Sequence, residues 1–259
     1  MSKQERFYLI KVQYLGFRYH GWAIQPGVKT VQGMIEKTLT YILGDKPFKV
    51  LGAGRTDAMV SAEGAYFELF INQKIEEDDF LFTFNSNLPQ DIRALSISEV
   101  NSNFNIIQSV SQKKYRYHFA FGEKANPFSS PFMTFVLENL NIDAIIEAAP
   151  LFEGQHDYIQ YCYKPGENVD TNRSISLCRI KQKKNDFPDF FPQHSYALHV
   201  HGKGFMRKQI RLIAGALILL GKGEITSDQI ESSIEGNLAF EQYIAPASGL
   251  VLEDVTFNV

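Results

Sequence analysis

The sequence predicts an α+β fold of two halves, residues 1–108 and 109–259, joined through one continuous sheet. Three observations predict it. Apolar residues switch repeatedly between a two-residue and a helical period. The first half reads β-α-β-β-α-β, as in a ferredoxin-like unit, and the second repeats the alternation with larger insertions. No Pro/Gly/Ser-rich linker separates the two. At 259 residues the chain can bury a sizeable core, as one large domain or two modest ones.

The elements follow in order. In Phe7–Leu15, Tyr8, Ile10, Val12 and Tyr14 face one way and Lys11 and Gln13 the other, which is a strand. From Thr30 the period changes: Val31, Met34, Ile35, Leu39, Ile42 and Leu43 form a helical stripe, with Thr30 as N-cap and Gly44 past the end. Phe48–Leu51 and Ala65–Ile71 read as strands, Phe80–Phe84 as helix and Ile92–Val100 as strand. In the second half Lys113–Phe121 is a strand carrying Tyr115, Tyr117, Phe119 and Phe121 on one face, and Ile142–Phe152 is a helix. Ser174–Lys181 and Ser195–His201 are strands, Phe205–Leu220 and Thr226–Glu235 helices, and Leu250–Phe257 the closing strand. The segments 161–172 and 185–193, rich in Pro or Gly, are loops.

Composition bounds the function. Hydrophobic content of 44% and charged content of 21% are globular values. No apolar run approaches the ~20 residues that span a bilayer, and the start of the chain shows no signal-peptide pattern. Cys162 and Cys178 have neither metal-binding nor redox spacing, so a reduced, cytoplasmic setting is expected. The net charge of −3 gives no general support for nucleic-acid binding. Basic residues nevertheless cluster as Lys113, Lys114 and Arg116, as Lys203, Arg207, Lys208 and Arg211, and as Lys181, Lys183 and Lys184, while Glu76-Glu77-Asp78-Asp79 gathers acid elsewhere. His199 and His201 share a strand face near His194, yet no acidic or cysteine partner stands at ligand-like spacing, and no phosphate-binding glycine loop is present. Neither metal nor cofactor is implied.

The stretch richest in chemistry is Gly52-Ala53-Gly54-Arg55-Thr56-Asp57. A strand runs into two glycines, an arginine and a carboxylate, which places Asp57 on a tight loop at a strand end, where a rigid scaffold can hold a reacting group. Gly54-Arg55-Thr56-Asp57-Ala58 resembles the central motif of the tRNA pseudouridine synthase A family, Gly-Arg-Thr-Asp-Ala-Gly-Val-His-Ala. Further resemblances run in family order across nearly the whole chain. They are Gly21-Trp22 with Gln25-Pro26 and Thr30-Val31-Gln32-Gly33, then Asn85, Asn87-Leu88-Pro89 and Asp91-Ile92. Lys114-Tyr115-Arg116-Tyr117, Arg211-Leu212-Ile213-Ala214-Gly215, and Ala245-Pro246-Ala247 with Gly249-Leu250 complete the set. Four residues depart from the family pattern: Met59 stands for glycine, Ser61 for histidine, Ala65 for glutamine and Ile24 for arginine. A methionine is strained if the family glycine has positive φ.

The resemblance implies a pseudouridine synthase fold, with a mixed, mainly antiparallel sheet and a central cleft. It implies a cofactor-free isomerase that converts uridine to pseudouridine in the anticodon stem-loop of tRNA, acting as a homodimer. Asp57 is then the essential carboxylate, attacking the uracil ring or the sugar, or acting as a base on the sugar. Arg211 pairs with it, and Tyr115 stacks on the flipped base and is a candidate proton acceptor at its C5. Arg55 contacts RNA beside the carboxylate, and Lys113, Lys114, Arg116, Lys203, Arg207 and Lys208 line a groove that binds tRNA. Two other classes compete. A non-catalytic RNA-binding protein on the same scaffold would explain the departures near Asp57, against the retention of Asp57, Tyr115 and Arg211 together. A glycoside hydrolase would need a second carboxylate about 5–9.5 Å from Asp57, for which Glu63 is the candidate nearby in sequence.

Overall fold

The computed structural model describes residues 5–167, 169–183 and 190–258. Their order is β1 (Arg6–Tyr14), α1 (Val31–Leu43), β2 (Phe48–Gly52), β3 (Ser61–Ile71), α2 (Glu77–Asn87), β4 (Ile92–Val100), β5 (Val110–Phe121), β6 (Thr134–Val136), α3 (Ile142–Ala148), β7 (Gly154–Asp157), β8 (Asn172–Lys183), β9 (Ser195–Gly202), α4 (Gln209–Lys222), α5 (Ser227–Ile234) and β10 (Leu250–Phe257). The α+β class read from the sequence is the class observed. Two compact units result: one runs to Ser111 and takes back the residues from Leu252, and the other is Gln112–Val251. Lys184 and most of the 185–193 loop lie outside the described residues. Among the described residues no helix is long and apolar enough to cross a membrane.

The first unit begins with the expected β-α-β-β-α-β succession. Its strands lie in the order β4-β1-β3, with β2 also on β3, and these pairs are antiparallel. Strand alternation sends Tyr8, Ile10 and Val12 to complete burial, while Lys11 reaches Asp254 at 2.9 Å. Helix α1 starts where Thr30 caps it: the Thr30 hydroxyl accepts from the Gly33 amide. Helix α2 is longer than the Phe80–Phe84 core that betrays it. Glu77, Asp78 and Asp79 fill its first turn, where carboxylates suit the helix dipole, and Phe80 and Phe84 stack inward with ring centroids 5.5 Å apart. Strand β3 begins four residues before the expected Ala65, because Ser61, Ala62 and Gly64 are too small to show an apolar alternation.

In the second unit the strand order is β5-β9-β8-β7, with β6 parallel to the end of β5. Tyr117, Phe119, Leu198, Ile213, Ala214 and Leu217 are buried. The Tyr117 hydroxyl sits 2.8 Å from Thr134 Oγ1 and donates to the Pro246 carbonyl at 2.9 Å, and burial raises its pKa. The expected helix 142–152 is α3 followed by a 3-10 turn, Ala149–Phe152, at whose start Pro150 sits. The helix expected from Phe205 begins only at Gln209, because Lys208 adopts a left-handed conformation, φ 58°. Thr226 and Gln229 form a reciprocal capping box on α5.

Two buried titratable groups give the fold opposite pH dependences. Burial raises the pKa of Glu68 on β3, against the opposing pull of the Ile106 main chain and of Lys49. Above the ordinary carboxylate pKa the unfolded chain has lost this proton while folded Glu68 retains it, so this group costs stability as pH rises. His118 on β5 is pulled down to about 3, first by burial and then by the charges of Lys183, Arg116 and His199. Below about 6.5 the unfolded chain binds a proton that folded His118 refuses, so stability falls from there towards pH 3. Urea unfolding of His118→Gln should show a flatter profile than wild type between pH 4 and 6.5. The difference can reach about 1.4 kcal/mol per pH unit, and identical profiles would show that His118 titrates normally.

Candidate active site

In the first unit, Asp57 lies on the connection 53–60 between the paired strands β2 and β3. Main-chain bonds hold this loop at both ends and in the middle. The Ala53 amide donates to the Tyr66 carbonyl at 2.9 Å, the Trp22 amide to the Thr56 carbonyl at 3.1 Å, and the Met59 amide to the Tyr19 carbonyl at 3.0 Å. Tyr14 brings its hydroxyl to 2.9 Å from Thr56 Oγ1. Gly21, with φ 93°, runs directly behind the loop, and a Cβ there would sit 2.6 Å from the Thr56 carbonyl oxygen. No larger residue permits that approach. The carbonyls of Gly21 and Trp22 also accept the Val31 and Gln32 amides, satisfying two donors that the start of α1 would leave unpartnered. The Gly-Trp motif therefore ties one loop and one helix start together, and the Trp22 indole, 2% exposed, packs between Tyr14 and Phe67.

Two other motif positions brace the same region. The Tyr19 hydroxyl donates to Asp91 Oδ1 at 2.6 Å and Arg18 grips Oδ2; burial first, then Asp91, raises the Tyr19 pKa. The Asn85 side chain donates to the Ala94 carbonyl and accepts the Ala94 amide, fastening the end of α2 to β4. Asp57 is partly buried, Arg55 is exposed and in no ion pair among the described residues, and Glu63 lies exposed on β3.

The departures from the family pattern acquire structural meaning. The Val60 amide donates back to the Asp57 carbonyl at 3.2 Å, and Met59 has φ 67° at the third position of that turn, where glycine is preferred. The strain expected for a methionine in place of glycine is thus present, two residues from the carboxylate. Ser61 is buried and its hydroxyl accepts the Gly16 amide at 2.9 Å, so it locks the loop's exit. Ala65 is buried opposite Val12, and Ile24 is exposed. Met59→Gly should raise stability by about 0.5–1 kcal/mol, the relief of left-handed strain less the entropy that glycine adds to the unfolded chain. A lower urea midpoint for Met59→Gly would show that the turn is unstrained.

In the second unit, Tyr115 on β5 pairs with Val200 of β9, is 9% exposed, and meets the Phe205 ring edge-on at 5.4 Å. Arg211, on the first turn of α4, is half-buried rather than a fully solvated surface arginine. Its Nε donates to the Ala245 carbonyl at 2.8 Å, and the Ala245 amide returns a bond to the Arg211 carbonyl at 3.1 Å. Gly215 lets this segment pass close: a Cβ there would overlap the Tyr243 carbonyl oxygen. The two sequence motifs around Arg211 and Ala245 are therefore the two sides of one contact.

The basic residues do not form one set. Successive side chains of a strand face opposite ways. Lys114 and Arg116 therefore lie on the opposite face of β5 from Lys113 and Tyr115. Burial lowers the Lys113 pKa. Lys203 is exposed just after β9. Arg207 and Lys208 come together at Tyr163, a residue of the 161–172 loop that carries no catalytic-motif signal. The Lys208 Nζ lies 3.7 Å and the Arg207 Cζ 5.1 Å from its ring centroid.

Comparison with known proteins fits these contacts. The sequence matches the family described as tRNA pseudouridine synthase over residues 10–107 and 148–258. It is 32% identical over 249 residues to tRNA pseudouridine synthase A of Ruminiclostridium cellulolyticum, covering 96% of this chain and 98% of the relative. The enzyme of the same name from Pseudothermotoga lettingae is 31% identical over 256 residues, covering 98% of this chain and all of the relative. That from Oenococcus oeni is 30% identical over 255 residues, covering 97% of this chain and 98% of the relative. With the family model matching most of the chain and a relative 32% identical across 96% of it, this chain belongs to the tRNA pseudouridine synthase family.

Proposed function

We propose that this protein isomerises uridine to pseudouridine in tRNA, in the anticodon stem-loop. The observation that carries it is the braced Asp57 loop, with its carboxylate presented on a connection whose backbone is fixed by Tyr19, Trp22 and Tyr66, in a chain matched along its length by tRNA pseudouridine synthases A. The reaction breaks the bond from uracil N1 to the sugar and forms one from C5 to the same sugar carbon. The proton leaving C5 balances the proton gained at N1, so no oxidant, metal or cofactor is required. The target base must leave its stack. Asp57 supplies the essential carboxylate, and Arg211 is the cation that the family resemblance assigns to it. Tyr115 offers the flipped uracil an aromatic face and a hydroxyl, and Arg55 contacts the RNA beside it. Support for Arg211 comes from its fixed, half-buried placement on α4, and for Tyr115 from its slight exposure beside Phe205.

The same reading makes the protein a cytoplasmic homodimer, and its two free, buried cysteines accord with the reducing compartment. Mapping pseudouridine in cellular tRNA with and without this gene tests the function. Loss confined to the anticodon stem-loop is the expected result, and an unchanged map would refute it.

A further inference from the structure

The second unit holds a cluster of positive charge that its own fold does not neutralise. Lys164 Nζ, Arg207 Cζ and Lys208 Nζ all lie within 5.4 Å of the centroid of one ring, Tyr163. Elsewhere this acidic protein pairs many of its cations: Arg6 with Glu99, Arg18 with Asp91, Lys222 with Glu138. Among the described residues none of these three meets a carboxylate. Three like charges held together repel one another, and the ring's electron-rich face offsets only part of that cost.

The backbone is also committed to holding them. The Tyr163 amide donates to the Arg207 carbonyl at 3.1 Å, which ties the loop after Tyr161 to the start of α4. Lys164 and Lys208 have φ 48° and 58°, two of the three non-glycine residues with positive φ among those described. Gln209, fully buried, fixes the second of these. Its side-chain carbonyl accepts the Met206 amide at 2.9 Å and its own amide donates to the Met206 carbonyl at 3.1 Å. Strain maintained in this way, around unneutralised charge, is a feature of binding sites.

The geometry points to a phosphate clamp: Lys164, Arg207 and Lys208, gathered on Tyr163, grip one phosphodiester of the tRNA backbone. Guanidinium and ammonium donors converge there, and the positive end of the 14-residue helix α4 lies at the same place. Arg211 stands in the first turn of α4, directly after the clamp residues Arg207 and Lys208, so a phosphate seated in the clamp would set the RNA's position at the start of α4 relative to Arg211. Tyr163 acts here as a positioning residue, and Lys164 and Tyr163 are the members that no catalytic motif contains. This inference rests on the proposed function, which supplies the RNA.

Binding of an unmodified tRNA transcript across a salt series tests it, with tritium release from uracil-C5-labelled transcript measured on the same wild-type preparation. Lys164→Gln/Lys208→Gln should weaken binding at low salt and reduce the slope of log affinity against log salt by about 0.7–0.9, the contribution of one phosphate. Tyr163→Leu should weaken binding by about threefold or more, and Tyr163→Phe, which keeps the ring, should bind as wild type does. If Tyr163→Leu folds poorly, the lysine variant carries the test alone. Unchanged affinity and slope in the lysine variant, with wild-type tritium release intact, would overturn the clamp and leave the enzyme reading standing. Altered slope without tritium release from wild type would leave the clamp standing and remove the enzyme reading. Equal weakening by Tyr163→Phe and Tyr163→Leu would assign the effect to the hydroxyl and overturn the ring's role in gathering the cations.

Discussion

Asp57→Asn should leave the fold intact and lower pseudouridine formation by about a thousandfold or more, the scale of loss when a reacting side chain is deleted. The substitution is nearly isosteric and removes the charge. Bonds of the Ala53, Thr56, Asp57 and Met59 backbone and of the Thr56 and Ser61 side chains hold the loop, and these remain in the variant. Chromatography of nuclease-digested tRNA reports the product, and the urea midpoint reports the fold. Substantial turnover by Asp57→Asn would take the carboxylate out of the mechanism. A large fall in its stability would make the residue structural.

Trp22→Ala has the largest expected effect on stability, a loss of about 3–5 kcal/mol. The indole is almost fully buried against Tyr14 and Phe67 and lies directly on Gly52, at the end of the strand that delivers the Asp57 loop. Its removal leaves a cavity beneath that loop while the main-chain bonds to Thr56 and Gln32 remain available. Catalysis should therefore fall by more than the unfolded fraction accounts for, because a loop without its support no longer fixes the carboxylate. Calorimetry and single-turnover kinetics on the same sample separate the two effects. A loss below about 1 kcal/mol would mean that the site is not braced by Trp22.

Much of this fold was legible because alternation and caps are local signals. Ile92–Val100 and Leu250–Phe257 coincide with their strands, and Thr30 announced α1. Where the signal was not local, the sequence misled. The helical pattern of 205–220 is unbroken in side chains, and only the backbone at Lys208 shows that α4 starts later. Strands β6 and β7, three and four residues long, are too short to display a period. Within the candidate site, the loop position of Asp57 could be read directly, and the conformation at Met59 followed once a glycine was expected there. Lys114 and Arg116 adjoin Tyr115 in sequence, yet a strand's two-residue period puts them on the opposite face of β5. Tyr163 could not be found in this way, since its meaning comes from cations more than forty residues further along the chain.

The most direct measurement uses purified wild-type protein and tRNA transcript carrying tritium at uracil C5. Pseudouridine formation replaces that C–H bond with the bond to the sugar, so the account requires tritium to pass into water in step with pseudouridine appearing in the RNA, without added metal or cofactor. Protein that binds the transcript and retains every tritium would contradict it, and would make this chain an RNA-binding member of its family rather than an enzyme.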